Sequence, residues 1–460
     1  MAGTGKRTTG PRTAPGAVPV LGHGVPLLRD PLRFLSSLPA CGDMVRIRIG
    51  PMEALMVCDP ELARQVLLDD RTFDKGGPLF DRGREALGNG LTTCPHSQHR
   101  RQRRLVQPAF HHSRMPGYAR VMAEQIDAVT GGWRDGQVLD VLAGMQEITT
   151  RIAVMTMFAG SIARSAHREV VEDFDTFSTG VFTRMFMPPP LDRLPTPGNL
   201  RFQRARARLR RTVHELVSGH RAAGVDHGDL LSILLTSRDD ESADGAGGTG
   251  GGLSDAEASD QVISFLFAGT ETGAATLAWA LHLLARHPDV EKRLHEEADT
   301  VLAGRTATYD DLPRLEFAAQ VITEALRLYP PGWMLTRTAN TAARLGPYEI
   351  PAGSTVALSA YLLHHRPDVF PEPERFDPDR WAGPAGARAA RSVMIPFSTG
   401  ARKCIGEDFA VAETALTLAT VAARWRLRPV PGAQVRPELR SIILKPRGLR
   451  MRLTARTPGR

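Results

Sequence analysis

The 460-residue chain carries 58 Lys and Arg against 50 Asp and Glu, a net charge of +8, with 42% apolar and 23% charged residues. That balance excludes a disordered or fibrous protein, and 34 prolines with 43 glycines require many turns and long irregular connections. No stretch offers about 20 consecutive apolar residues, and Cys41, Cys58, Cys94 and Cys404 have neither CxxC spacing nor the density of a disulfide framework, so a cytoplasmic chain without membrane anchor, zinc site or disulfides is expected.

In chain order, residues 1–17 read as a disordered or extended lead. A short amphipathic helix follows within "VPVLGHGVPLLRDPLRFLSSL", and "DMVRIRIGPMEALMVCDP" alternates as a β-hairpin does. Helical periodicity then prevails to about Leu235, through "PELARQVLLD", "SQHRRQRRLVQPAF", "YARVMAEQIDAVTGGW", "VLAGMQEITTRIAVMTMFAG" and "NLRFQRARARLRRTVHELVSGHRAAG", with "MFMPPPLDRLPTPGN" as an interruption. Residues 238–252, "RDDESADGAGGTGGG", cannot bury apolar surface and read as a mobile loop within a domain.

At Ser254 a capping box, Ser254 with Glu257, starts a helix that meets no proline until Pro288. Such a helix would run about 50 Å and form a spine. Its centre, "SFLFAGTETGAATLAWAL", is apolar on nearly every face except at Gly269–Gly273, where glycine costs roughly 1 kcal/mol against alanine and Glu271 must leave water. Such a local conflict marks a functional site or a glycine that relieves helix crowding. Downstream, Glu324 and Arg327 in "EALRLYPP" share a helix face, "YEIPAGSTVALSAYLLHH" supplies strands, and "PEPERFDPDRW" has too many breakers for regular structure. The last long helix begins just past Cys404.

Cys404 lies in "FSTGARKCIG", after a glycine-permitted turn and before a helix N-terminus, whose positive end favours thiolate. Gly400 and Gly406 clear bulk on either side, which would let a large flat group reach the sulfur, while Arg402 and Lys403 supply charge for carboxylates. A cysteine merely buried in a turn stays open as the structural alternative, and a catalytic nucleophile would need a base closer than His364 and His365.

This stretch resembles the haem-binding signature F-x-x-G-x-R-x-C-x-G of the cytochrome P450 family at Phe397, Gly400, Arg402, Cys404 and Gly406. Three more matches follow the family's order: "AGTET" with Ala268, Gly269, Glu271 and Thr272; "EALR" with Glu324 and Arg327; and "PERF" with Arg375. The resemblance spans nearly the whole chain and implies a mainly α fold with a smaller β part, a triangular prism holding haem between a long central helix and the cysteine loop. Residues 18–460 would then be a single domain.

By that resemblance Cys404 is the metal ligand, the proximal thiolate of haem b, iron protoporphyrin IX. Arg402, Arg337, His99 and Arg103 hold propionates, and Phe397, Gly406 and Ala268 lie against the ring. Gly269 opens room for O2, the cosubstrate, while Thr272 and Glu271 manage protons. Glu324, Arg327 and Arg375 form a structural ionic triad. Gly273 stands where the family often has Thr or Ser and would loosen the groove, and Cys94 and His96 fall near the pocket without a catalytic role. The pocket itself would use Leu91, Met185, Met187, Phe265, Trp333 and Met334, an apolar lining suited to a hydrophobic guest.

The implied activity is monooxygenation of a hydrophobic small molecule by a monomer that receives NAD(P)H electrons through a ferredoxin reductase and a ferredoxin. The ferredoxin would dock on exposed charges of "HRRQRR", Arg402 and Lys403. Nucleic acid is excluded as a partner, because no aromatic platform accompanies the basic run. "GNGLTTCPHSQHRRQRRLVQPAFHHSR" and "MFMPPPLDRLPTPGN" resemble the sesquiterpene-oxidising actinobacterial members. Fatty-acid, polyketide or steroid hydroxylation, or a non-catalytic haem-based gas-binding protein, are the alternatives.

Overall fold

The structure, a computed structural model, describes residues 10–158, 170, 172–174, 176–181, 184, 191, 194–239, 251–383, 393–438 and 443–457. Met185, Met187 and most of the loop at 238–252 lie outside the described residues. The chain divides into two compact units, Met1–Phe80 with Glu324–Cys404, and Asp81–Thr323 with Ile405–Arg460.

The first unit is built on a six-stranded sheet, ordered Arg12–Thr13, Met44–Ile49, Met52–Val57, Thr355–Leu358, Leu335–Ala339 and Phe73–Asp74. The expected hairpin is there, in register from Met44↔Val57 to Ile49↔Met52. Its base is buried and its tip is exposed, because Thr355–Leu358 adds in parallel at Leu55↔Val356 and covers the inner end. Helix Pro60–Leu68 follows, capped by Asp59, whose carboxylate accepts from the Leu62 N–H. The expected "EALR" helix is Glu316–Leu328, entering this unit at Glu324.

The second unit is mainly helical. Its spine is the central helix Asp255–Leu284, which runs unbroken for 30 residues, about 45 Å. Both halves of the capping box form: Ser254 Oγ accepts from the Glu257 N–H, and the Glu257 carboxylate accepts from the Ser254 N–H. Against the spine pack Val141–Phe158, Pro197–Ala223 and Glu407–Arg424. Two small sheets close the unit, one of Trp425–Pro429, Arg450–Ala455 and Val138–Asp140, the other a hairpin of Arg436–Glu438 with Lys445–Arg447. Trp279 fixes that hairpin to the spine by donating its indole N–H to the Leu444 carbonyl at 2.9 Å. Its position delivers Lys445 to the middle of the central helix.

Candidate active site

In the first unit, residues 397–404 form a tight loop closed by the Cys404 N–H on the Phe397 carbonyl at 2.8 Å and the Lys403 N–H on Gly400 at 3.0 Å. Gly400 is needed twice over: its φ is +72°, and a Cβ there would come within 2.6 Å of the Leu67 carbonyl. This glycine serves the fold of the loop against helix Pro60–Leu68. Gly406, the N-cap of Glu407–Arg424, has a φ of −94°, and a Cβ there would make an ordinary 3.7 Å contact with Phe110. Protein atoms alone do not demand glycine there. The Cys404 thiol is exposed, two residues before that N-cap.

Two buried guanidiniums sit in the same unit. Arg402 reaches Asp74 Oδ1 at 2.7 Å and Asp70 Oδ2 at 3.3 Å, so it is an anchored interior cation and its expected place on a docking surface is corrected. Arg337, on strand Leu335–Ala339, donates to the Thr336 carbonyl at 2.8 Å and meets no carboxylate within salt-bridge distance among the described residues. Burial first, and then the positive charge of Arg402, pushes its pKa down to about 10. A buried cation with one backbone partner calls for an anion. The propionates of haem are such anions, and a thiol on the same unit supplies the ligand chemistry, so these residues fit the group.

The Glu324–Arg327 pair is fully buried, with Glu324 Oε1 2.8 Å from Arg327 Nη2 and Oε2 2.9 Å from Nε. Trp381 Nε1 and the Asp377 N–H also donate to Glu324, while Arg327 donates to the carbonyls of His364, Pro373 and Arg375. The third cation is not the expected one. The Arg375 side chain turns outward to Glu372 at 3.1 Å, and Arg380 takes its place at ion-pair distance, 3.4 Å from Glu324. Only the Arg375 carbonyl enters the lock. Trp333 is buried beneath a Ser359 hydroxyl that donates to its carbonyl, and Met334 is half-buried.

In the second unit the central helix is buried all round from Gln261 to Leu281 except at Phe265, Ala268, Gly269 and Thr272. Their spacing of three, four and seven residues draws one stripe along the helix. Phe265 stands edge-on to Phe110, 5.1 Å between centroids, and a Cβ on Gly269 would meet nothing within 4 Å. The Thr272 hydroxyl donates to the Ala268 carbonyl at 2.8 Å, which leaves its lone pairs unused by that bond. Leu91 is buried, its N–H bonded to Gln261 of the same helix.

Off the stripe, the Glu271 carboxylate finds Ser178 Oγ at 2.7 Å, Gln146 Nε2 at 3.1 Å and Lys445 Nζ at 3.2 Å. These three partners, absent from sequence reasoning, answer the desolvation of Glu271. Gly273 does not loosen a groove: a Cβ there would come within 2.7 Å of Glu413 Oε2 and 3.3 Å of Thr149 Cγ2, so it is a packing glycine. On helix His96–Val106, His99 is buried and Arg103 half-buried one turn on. Arg101 and Arg104 of the same run pair with Glu257 at 2.6 Å and Asp239 at 3.0 Å, so these two expected docking charges are engaged within the chain while still partly exposed.

The cytochrome P450 family model matches residues 11–453. The chain belongs to the cytochrome P450 family. It is 49% identical over 426 residues, 92% of this chain and 91% of the relative, to cyclooctat-9-en-7-ol 5-monooxygenase of Streptomyces melanosporofaciens. It is 46% identical over 447 residues, 97% and 98% of the two chains, to pentalenene oxygenase of Streptomyces avermitilis. Among solved structures, the haem domain of cytochrome P450DA matches with a TM-score of 0.86 at 27% identity, covering 98% of each chain. The protein is therefore a haem-dependent P450 monooxygenase, and haem supplies the iron at which O2 is reduced so that one oxygen atom enters a hydrophobic substrate. Among the described residues no helix is long and apolar enough to cross a membrane.

Proposed function

We propose that this P450 oxygenates a cyclic terpene in secondary metabolism. The observation that carries the reading is the stripe on the central helix, where Phe265, Ala268 and Gly269 offer carbon and open space, and Thr272 is the one polar side chain. A hydrocarbon skeleton is held on such a surface by shape, whereas a fatty acid would call for a cation beside it. The names of the two Streptomyces relatives agree with a terpene guest. The family match also crosses both compact units, which supports reading them as parts of one catalytic domain.

In this reading Cys404 ligates the iron, Arg337, Arg402, His99 and Arg103 hold the propionates, and Phe397, Ala268 and Gly406 lie against the ring. Thr272 keeps its proton on the Ala268 carbonyl and can exchange it with water above Gly269. Glu271, held in place by Lys445, Gln146 and Ser178, is the acid behind it. Electrons arrive from NAD(P)H through a ferredoxin reductase and a ferredoxin in the cytoplasm, and Arg100 and Lys403 are the exposed members of the expected docking set on the monomer.

A Thr272→Ala protein tests this directly. Reductant consumption should continue while product per NAD(P)H falls at least about ten-fold, in line with the loss of a general acid–base group. Unchanged coupling would remove Thr272 from the chemistry, and a protein that binds O2 without turnover under any substrate would be a gas-binding protein. Titrating the ferric form with terpenes, fatty acids and steroids should give a spin-state shift with terpenes. A shift with fatty acids alone would sink the substrate assignment.

A further inference from the structure

The first unit exposes a set of large aliphatic side chains near its N-terminus. Val20 is 84% and Leu28 78% exposed, and Leu21, Val25, Ile49 and Met52 lie between 46% and 54%. Burial of such side chains is worth enough that a contiguous exposed patch marks an interaction surface.

The patch is built rather than frayed. Residue bridges join Val18 to Gly22 and Gly22 to Ile49, and the Gly50 N–H donates to the Leu21 carbonyl at 3.1 Å. Buried His23 acts as a peg between the segments, with Nε2 2.9 Å from the Ala14 carbonyl and Nδ1 accepting from the Arg48 N–H at 2.9 Å. Gly22, at φ +58°, has no room for a Cβ against the Arg48 carbonyl. At the turn tip Val20 holds φ +66°, a left-handed conformation that costs a β-branched residue strain, so its outward presentation is maintained against a local penalty.

Arg29 follows Leu28 at the end of helix Gly24–Arg29, Arg33 lies in the first turn of helix Pro31–Ser37, and Arg48, whose side chain leaves its strand on the face opposite Ile49, has its Cβ beside Gly22 of the turn. All three are exposed, and none of their side chains has a carboxylate partner among the described residues. The nearby acids are engaged: Asp30 caps Pro31–Ser37 by accepting from the Arg33 N–H, and Glu53 pairs with Arg46 at 3.3 Å. Aliphatic centre and unpaired guanidinium rim together match the acyl boundary and the phosphates of an anionic bilayer. A second copy of the chain would stack like charges at such a rim. An acidic protein would satisfy the arginines, but the patch lacks the aromatic anchors on which protein interfaces centre.

We propose that this surface seats the enzyme on anionic lipid bilayers as a peripheral protein, independently of which substrate class it oxidises. The test uses the full-length haem-loaded enzyme, sedimented with vesicles of phosphatidylcholine alone or mixed with phosphatidylglycerol, at low and high salt. Wild type should bind the mixed vesicles, more weakly as salt rises. Val20→Ser with Leu28→Ser should lower the partition coefficient at least about ten-fold, and Arg29→Glu with Arg48→Glu should lower it as much while erasing the salt dependence. Each variant should keep the reduced carbon-monoxide band, because the changed side chains are exposed; if a double variant loses it, Leu28→Ser alone serves. No binding by wild type at low salt overturns the proposal. So does binding that the arginine pair controls and the apolar pair leaves unchanged, or a dimer in sedimentation velocity that the apolar pair dissolves.

Discussion

Two buried carboxyl groups press on the central helix and are treated in opposite ways. Glu271, on the helix itself, receives a serine hydroxyl, an amide N–H and the Lys445 ammonium. Glu413, on the helix after the Cys404 loop, is 2% exposed and lies against Gly273 with no hydrogen bond or cation to its carboxyl among the described residues. Desolvation alone raises its pKa well above the ordinary carboxyl value. A carboxylate with a cation can stay charged in the interior, whereas one without must keep its proton. The spine of this P450 therefore has an ion pair at Glu271 on one flank and, against Gly273 on the other, an unpartnered acid whose pKa burial raises.

The largest effect is expected from breaking the partnered side. Lys445→Met should cost about 3 kcal/mol in the urea midpoint at constant haem occupancy, because it strands the Glu271 charge in the interior. Adding Glu271→Gln should recover most of that loss, since both charges are then gone. If Lys445→Met alone cost less than about 0.5 kcal/mol, within the range of an exposed pair, the ion pair would have no part in holding the helix and the contrast with Glu413 would fail.

Gly273→Ala probes the other flank at a smaller scale. The new Cβ would lie 2.7 Å from Glu413 Oε2, in a site with little room to give, so a net loss of about 1–2 kcal/mol is expected despite the better helix propensity. In a Glu413→Ala background the same change should stabilise by up to about 1 kcal/mol. Equal effects in both backgrounds, read from thermal midpoints, would show that Glu413 is not what holds position 273 to glycine.

These pairs also show where sequence reading reaches its limit. The hairpin, the capping box at Ser254 and the cysteine loop rest on patterns within ten or twenty residues, and all appear in the structure. The partners of Glu271 are separated from it by 125, 93 and 174 positions, and no local pattern ties a lysine in a late hairpin to a mid-chain helix. Arg375 and Arg380 share one breaker-rich meander, so which guanidinium turns inward depends on a backbone path that composition cannot specify. Gly273 reads as a groove residue because the resembling family often has Thr or Ser at that position, yet one residue of rotation from Thr272 carries it round to Glu413. Glu413 itself was legible in principle: a lone acid inside "FAVAETALTLATVAA" is a buried polar group waiting for an explanation.

The smallest predicted effect is the most diagnostic. Glu413→Gln keeps the shape and the neutrality of the protonated acid, so at about pH 4, where the unfolded glutamate is also largely protonated, it should shift stability by no more than about 1 kcal/mol. The pH dependence separates the two proteins. With its folded pKa raised, Glu413 binds a proton in the folded state that the unfolded chain has already released above about pH 4.5. Its contribution is therefore fully present below that pH and is lost as pH rises through the folded pKa. Wild type should weaken on the alkaline side, while Glu413→Gln, with nothing to titrate there, should weaken less, so the gap between their urea midpoints should move in favour of the variant from pH 6 to pH 9. Parallel curves would mean that Glu413 ionises without penalty and that both flanks of the helix hold charge, which would dissolve the distinction between them.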